Sequence, residues 1–402
     1  MGDILTFYST NSFSREKLNY KSGSVKNIHY GDIHTKYPTI VSLQDNSEVP
    51  FINDDVDLSK FKEDQYLCDG DLIIADASED YNDIGKAIEV KDIGDEKVLA
   101  GLHTILARDE KNITVNGFKA ELFSTNNLKT KIKIIANGIS VLGISKNNLS
   151  KLEVKIPSKN EQNKIVNFIE VMDRKIVLLE KKHKYYQDFK MYLMQQIFTQ
   201  KLRFNDNNNE PYENWEGLQL KDIISLQGGY AFKSELFKDE GVPIIRISNI
   251  SPNNSVILDD LVYYDKLDND SDFIIKKGEL IIAMSGATTG KVGVYDLDQI
   301  AYINQRVGLF KQISNELYYP FLIQYTLSDT FKRELQKTLV AGAQPNISKK
   351  EIESFKINLP QYGEQKKIAD LLFNIDLKIN TVKNQSTEIS QFKKGLLQQM
   401  FV

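Results

Sequence analysis

Apolar residues recur every three or four positions at Ile165, Phe168, Met172, Ile176, Leu179, Tyr186, Phe189, Leu193 and Ile197. That spacing predicts one long helix with a single buried stripe. It returns at Ile368, Leu371, Ile375, Ile379, Val382, Ile389, Phe392, Leu396 and Met400, and predicts a second. One heptad position is polar in both copies, His183 and Ser386, where a polar side chain fixes register at some cost in stability. Pro157 stands just ahead of the first helix, and Ser158 with Glu161 has the spacing of a capping box. Roughly 40 residues at about 1.5 Å each make a rod of about 60 Å. Neither rod can bury its stripe alone, so the two are expected to pack on each other, rather than each merely covering its own domain.

Elsewhere the pattern is one of short apolar runs between turn signals. Val25–Tyr30, Thr39–Leu43, Leu72–Ala75, Thr104–Ala107 and Lys131–Ala136 read as strands. Asp69-Gly70-Asp71, Asn116-Gly117 and Asn137-Gly138 read as turns. Residues 205–211, Asn-Asp-Asn-Asn-Asn-Glu-Pro, have no apolar content and mark the clearest boundary.

The pattern is written twice. Pro157, Glu161-Gln162, Lys164-Ile165, Asp173-x-Lys175-Ile176, Phe189-Lys190-x-x-Leu193 and Gln195-Gln196-x-Phe198 all return without a gap at an offset of 203 residues, ending at Phe401. The globular parts repeat more faintly. Gly70-Asp71-Leu72-Ile73-Ile74-Ala75 answers Gly278-Glu279-Leu280-Ile281-Ile282-Ala283, and Ile144-Ser145-Lys146 answers Ile347-Ser348-Lys349. Gly2-Asp3-Ile4 answers Lys221-Asp222-Ile223, so the first copy lacks a counterpart to Trp215–Leu220 and starts slightly short. The expected class is α+β: two tandem mixed domains, 1–156 and 215–359, each followed by a long helix, 157–204 and 360–402, with a polar linker at 205–214.

Composition narrows the function. With 402 residues and 41% hydrophobic content the chain can build two or three cores. A single cysteine, Cys68, excludes an internal disulfide framework and fits a reducing, cytoplasmic compartment. No basic-then-apolar leader opens the sequence and no run approaches a membrane span. The net charge of −4 argues against a free-standing DNA binder but not against local basic surfaces or a basic partner.

The paired Pro-x-x-x-Glu-Gln helix starts, the Gln-Gln-x-Phe ends, Lys201-Leu202-Arg203-Phe204, Gly228-Gly229-Tyr230-Ala231-Phe232 and Gln344-Pro345-Asn346-Ile347-Ser348, in this order, resemble the specificity (S) subunits of type I restriction-modification enzymes. The resemblance covers essentially the whole chain. It implies two target-recognition domains, each reading one half of a split double-stranded DNA site. It implies that the helices form an antiparallel coiled coil with a pseudo-two-fold repeat, set the spacing and dock two methyltransferase subunits. Restriction-translocase subunits join in the full complex. It implies a non-catalytic chain that binds no cofactor, with S-adenosylmethionine, ATP and Mg²⁺ on the partners, and no membrane association. A split site needs two readers at fixed distance and rotation along the duplex, which a rigid rod supplies. A repeated scaffold presents similar surfaces to two copies of a partner. The alternative is a coiled-coil scaffold without sequence readout, whose DNA binding is indifferent to sequence.

Base-edge readout wants Arg or Lys for guanine, Asn or Gln for adenine, and small hydroxyls, on loops that reach a groove. In the second domain those types stand at Arg246 and Asn249, at Ser285, Thr288, Thr289 and Lys291 after an apolar strand, at Asn304, Gln305 and Arg306, and at Gln344 and Asn346. The matching places in the first hold His29 and His34, then Ser78, Tyr81, Asn82 and Lys86, and His103 opposite Arg306. Any of these can instead be a turn former or a solvated strand residue. Lys181, Lys182 and Lys184 read as a solvated or partner-facing side of the helix.

Enzymatic motifs fail on detail. Residues 285–292 have a phosphate-loop look, but the glycine spacing is one short and Val292 replaces the Mg²⁺-binding hydroxyl. Asn209-Glu210-Pro211-Tyr212 echoes the Asn-Pro-Pro-Tyr of adenine methyltransferases, with Glu210 breaking it. His29, His34, His103 and His183 lack metal-ligand spacing.

Overall fold

In the computed structural model the two stripes are single helices, Lys159–Phe198 and Tyr362–Met400. The structure describes residues 1–44, 48–251, 253–341 and 346–401. Contacts divide the chain into two units that cut through both helices: unit 1 is 1–180 with 384–402, and unit 2 is 181–383. Each unit therefore holds a globular domain and half of each helix.

Within unit 1 the helices run antiparallel. Lys393 Nζ holds both oxygens of Asp173 at 2.7 Å, while Ile165, Ile169 and Leu397 share a buried cluster. Within unit 2 Lys190 Nζ holds both oxygens of Asp376 at 2.7 and 2.6 Å, while Met194 and Ile197 pack with Ile368, Ala369 and Leu372. The two ion pairs are one pair written twice: Asp173 maps on Asp376 and Lys190 on Lys393 at the 203-residue offset. Much of the expected stripe is buried, at Ile165, Met172, Leu179, Ile197, Ile368, Ile375 and Val382, but its edge is shifted. Phe168, Phe189 and Phe392 are 43%, 39% and 59% exposed, whereas Ile169 and Met194 are buried.

The glutamine of each Glu-Gln pair fastens its helix to its domain. Gln162 accepts from Val115 N (2.9 Å) and donates to the carbonyls of Ile113 (3.2 Å) and Pro157 (2.9 Å). Gln365 accepts from Tyr318 N (2.7 Å) and donates to those of Glu316 and Pro360, both at 2.8 Å. All six groups correspond at the same offset, and both side chains are buried.

Each domain is built on a fully buried strand, Leu72–Ala75 or Leu280–Ala283. Apolar residues on both sides of a strand demand cover on both faces. Leu72 and Ile74 face the helices, and Ile73 and Ala75 face a second sheet; Leu280 and Ile282, then Ile281 and Ala283, do the same in unit 2. The central sheet of unit 1 orders Thr6–Tyr8, Thr104–Arg108, Leu72–Ala75, Ala87–Lys91 and Ile40–Ser42; that of unit 2 orders Ile224–Gly228, Val307–Gln312, Leu280–Ala283 and Val292–Val294. The second sheets share a parallel pair, Lys26–Ile28 with Val98–Ala100 and Val242–Ile245 with Ala301–Ile303.

One expected strand is a helix. Residues 131–136 fall largely in Asn126–Ile135, where Thr125 caps the start and Leu128 and Ile132, four apart, are buried. The Lys-Ile alternation imitates a strand, but Ile134 is 76% exposed. Val25–Tyr30 is shorter than expected, because Tyr30 opens the helix Tyr30–Thr35.

Candidate nucleic-acid interface

Three loops meet in each unit, joined by the same backbone bonds. In unit 2 the loops after Val242–Ile245, Leu280–Ala283 and Ala301–Ile303 converge. Asn304 N donates to Ile245 O (3.0 Å), Met284 N to Arg306 O (2.9 Å) and Ile347 N to Met284 O (2.9 Å). In unit 1 Gly101 N donates to Ile28 O (2.8 Å), Asp76 N to His103 O (3.0 Å) and Ile144 N to Asp76 O (2.9 Å). The junction thus collects most of the candidates within each unit.

In unit 2 Gln305, Arg306 and Asn346 are exposed, and Arg246, Ser285, Thr288, Thr289, Lys291 and Asn304 are half-buried around them. Arg246 is anchored by Nη2 to Asp260 O at 2.8 Å. Its Nε and the Ser285 Oγ are buried without a hydrogen-bond partner, two polar groups that an incoming acceptor would satisfy. Thr288 ties the strand-end loop to Ile247 O at 3.4 Å, and Thr289 donates to Gly286 O at 2.7 Å. Asn249 turns inward: 2% exposed, it accepts from Arg246 N (2.9 Å) and reaches Ile257 O and Asp259 O. It holds the loop and has no free edge for a base. Gln344 lies outside the described residues.

In unit 1 the candidates gather on Tyr30, whose ring centroid is 4.7 Å from His29, 6.0 Å from His34 and 5.2 Å from His103. His103 is half-exposed and faces Asp76 at 3.4 Å. Lys86 Nζ donates to His34 O at 2.7 Å, and His34 Nε2 meets Ala77 O at 3.1 Å. Tyr81 and Asn82 are exposed, and Lys133 lies against both, 5.2 Å from the ring and 2.8 Å from the amide oxygen. Two expectations fail on burial. His29 is 5% exposed and caps Tyr30–Thr35 by accepting from Gly31 N; burial, with Arg15 nearby, lowers its pKa, so the ring stays neutral and able to accept. Ser78 is 6% exposed and closes a turn onto Asp80.

Tyr30 and Tyr230 are not among the candidate contact residues read from the sequence. Tyr30 centres one junction, and Tyr230, 45% exposed, donates N–H to Ile303 O in the other. The signal for Tyr230 was its Gly-Gly-Tyr-Ala-Phe context. A Cβ on Gly229 would stand 2.2 Å from Ile303 O, so only glycine lets that segment lie against the junction.

Residues 19–187 and 212–391 match the family model described as type I restriction modification DNA specificity domain. The chain belongs to this family. This specificity-domain protein is similar to the type I restriction enzyme MjaVIII specificity subunit of Methanocaldococcus jannaschii, 26% identical over 308 residues, 73% of this chain and 71% of that one. A putative type I specificity subunit of Mycoplasma genitalium is 20% identical over 296 residues, 70% of each chain. The crystal structure of a type I restriction-modification S subunit from M. genitalium has a TM-score of 0.59 at 15% identity, covering 100% of this chain and 94% of that one. A second, from a structure concerned with assembly and conformational transition of a type I system, has a TM-score of 0.57 at 14% identity and covers 99% and 97%. The likeness in fold is therefore end to end. The tandem match falls once on each copy of the repeat, as two specificity domains in one chain require. Among the described residues no helix is long and apolar enough to cross a membrane.

Proposed function

We propose that this chain is the DNA-reading subunit of a type I restriction-modification complex, acting in the cytoplasm, and that each unit reads one half of a bipartite double-stranded site through its three-loop junction. The paired helices set the spacer and dock two methyltransferase subunits, which restriction-translocase subunits join. Chemistry, with its S-adenosylmethionine, ATP and Mg²⁺, belongs to those partners.

The observation that carries this reading is the junction itself. Two copies share their backbone bonds, yet Asn304-Gln305-Arg306 in one stands where Gly101-Leu102-His103 stands in the other. A common frame with different side chains is what two different half-sites require. An exposed arginine can take guanine O6 and N7 together, a contact that discriminates by about 1–3 kcal/mol. With a net charge of −4, attraction to phosphates has to come from local cations such as Arg306, Lys291 and Lys86 and from the partners.

The test is selection from a randomised duplex library, at near-physiological salt, by the chain co-expressed with its methyltransferase subunit. Two short fixed blocks around a spacer of fixed length are expected. Arg306→Ala should relax one block and leave the other. A stable complex that enriches no sequence refutes the proposal and leaves a scaffold.

A further inference from the structure

Two polar groups at the unit 2 junction find no use within the described protein. Ser285 stands at the cap position of the turn Gly286–Thr288, yet its hydroxyl makes no capping bond. Its Oγ and the Arg246 Nε are both buried without a hydrogen-bond partner. An unpaired buried donor is costly, so two at one junction call for a ligand. The fold brings their loops together. Thr288 Oγ1 donates to Ile247 O at 3.4 Å, and Met284 N, next to Ser285 in the chain, donates to Arg306 O at 2.9 Å. Nη2 of Arg246 is fixed on Asp260 O at 2.8 Å, which leaves Nε unspent. Lys291 follows on the same loop, half-buried, and among the described residues no hydrogen bond or ion pair engages its ammonium.

The corresponding places in unit 1 are filled differently. The bonds from Gly101 N to Ile28 O and from Asn304 N to Ile245 O set His29 against Arg246. Those from Asp76 N to His103 O and from Met284 N to Arg306 O set Ala77 against Ser285. His29 is buried and spent as a helix cap, and Ala77 is apolar. Gly85-Lys86-Ala87 answers Gly290-Lys291-Val292, and Lys86 Nζ donates to His34 O at 2.7 Å.

Shape and charge select the ligand. A base edge lies inside a groove and is reached by a projecting side chain, such as the exposed Arg306. A phosphate projects from the duplex, is charged and accepts several hydrogen bonds at once. Donors set back in the surface, one of them on a guanidinium, suit the phosphate. Building on the DNA-reading role proposed above, we infer that Arg246 Nε and Ser285 Oγ, with Lys291, bind one backbone phosphate of the half-site that unit 2 reads. The pair positions unit 2 on the duplex and reads no base. Unit 1 makes no equivalent contact through His29 and Ala77.

The test uses the chain co-expressed with its methyltransferase subunit and the duplex which that complex selects. Unit 2's half-site is the block that Arg306→Ala relaxes. Each phosphate is replaced in turn by a neutral methylphosphonate, and binding is followed by anisotropy. Neutralising one linkage in unit 2's half-site should weaken wild-type binding about tenfold, as charge-assisted bonds are lost. Ser285→Ala removes a hydroxyl that pairs with no described group, so its melting temperature should hold. It should still weaken binding to the unmodified duplex and blunt the response to that linkage. Arg246→Met, which also loses the bond to Asp260, should do the same and lower the salt slope by about 0.9. Both variants should select the same two blocks as the wild type. A changed base in unit 2's block overturns the proposal by making the pair a base reader. Unchanged affinity in Ser285→Ala overturns it, and so does a linkage response equal in wild type and variants. Two selected blocks with a flat phosphate scan overturn it while leaving the DNA-reading role standing; a complex that selects no sequence refutes both.

Discussion

Glu121 offers a direct test of how the repeat trades one interior for another. It is 1% exposed and neither carboxylate oxygen has a hydrogen-bond partner. Lys393 stands 3.6 Å away but is committed to Asp173 at 2.7 Å. Burial pushes the Glu121 pKa up to about 7 from an ordinary 4.5, Lys393 opposing the rise and Asp173 and Glu89 adding to it. Below pH 4.5 folded and unfolded chains both carry the proton and nothing is lost. Between 4.5 and 7 the unfolded chain releases it while the folded chain keeps it, so unit 1 loses stability as pH rises. The gap of two to three units corresponds to about 3 kcal/mol, fully lost above pH 7. Unit 2 holds Gln324 at the equivalent position, where its amide donates to Asp376 at 3.2 Å. Glu121→Gln should therefore be nearly neutral at pH 4.5 and stabilise by about 3 kcal/mol at pH 8, a shift of roughly 6–12 °C for a unit of this size. Calorimetry of the full chain across this range measures it. The single tryptophan, Trp215, reports unit 2 separately by fluorescence. A variant whose advantage is the same at pH 5 and pH 8, or which is less stable at pH 8, refutes the reasoning.

Other perturbations separate frame from readout. Gln365→Ala strands three backbone partners and should cost unit 2 roughly 2–4 kcal/mol, lowering the Trp215 fluorescence transition, whereas Gln162→Ala should leave that transition in place and destabilise unit 1. Glu89→Val alone should cost roughly 3–5 kcal/mol by leaving Lys119 buried and unpaired and Gly117 N and Ala120 N without their acceptor, while Glu89→Val with Lys119→Leu should recover only the lysine's share, because the two N–H groups stay stranded; urea denaturation of the four-member cycle decides. Arg306→Ala should weaken binding to a cognate duplex by about 1–3 kcal/mol through one half-site only, read by competition against duplexes altered in either half. His29→Ala should cost unit 1 about 1 kcal/mol as a lost cap, with no change in the half-site selected.

The long helices were legible because a period of three to four persists over some forty residues and is stated twice. Their faces were less so. Phe168, Phe189 and Phe392 fit the stripe by spacing but stand at its rim, where a shift of one residue decides burial. At residues 131–136 local alternation outweighed period in the reading, and capping by Thr125 with burial of Leu128 and Ile132 outweighed it in the fold. The junction was legible as a place: the constant offset put His103 opposite Arg306, and the backbone bonds there do correspond. Which side chains point outward was not. A polar residue in a loop can serve its own backbone, as His29, Ser78 and Asn249 do, and composition alone cannot distinguish that from a surface group.

Comparison of the two copies shows which interactions the fold can exchange. Gln162 and Gln365 bond to backbone groups at fixed positions, and both copies retain the residue with all its partners. Pairs made between side chains are exchanged as pairs. Glu89 and Lys119, in contact at 2.9 Å and both buried, stand where Val294 and Leu322 pack against the apolar core of unit 2; Glu89 also accepts from Gly117 N (2.7 Å) and Ala120 N (3.1 Å), and unit 2 has Pro320, which carries no N–H, in the place of Gly117. The backbone groups that hold the two glutamines are kept in both copies and fix the frame; where a buried side-chain contact is exchanged its partners change with it, down to the N–H of Gly117 that Pro320 lacks, so the interior is free to drift. The junction loops obey neither constraint, since their frame is carried by N–H and C=O groups that every non-proline residue supplies. Side chains at 101–103 and 304–306 can therefore differ without disturbing the scaffold, and this is the freedom that two readers of different half-sites need.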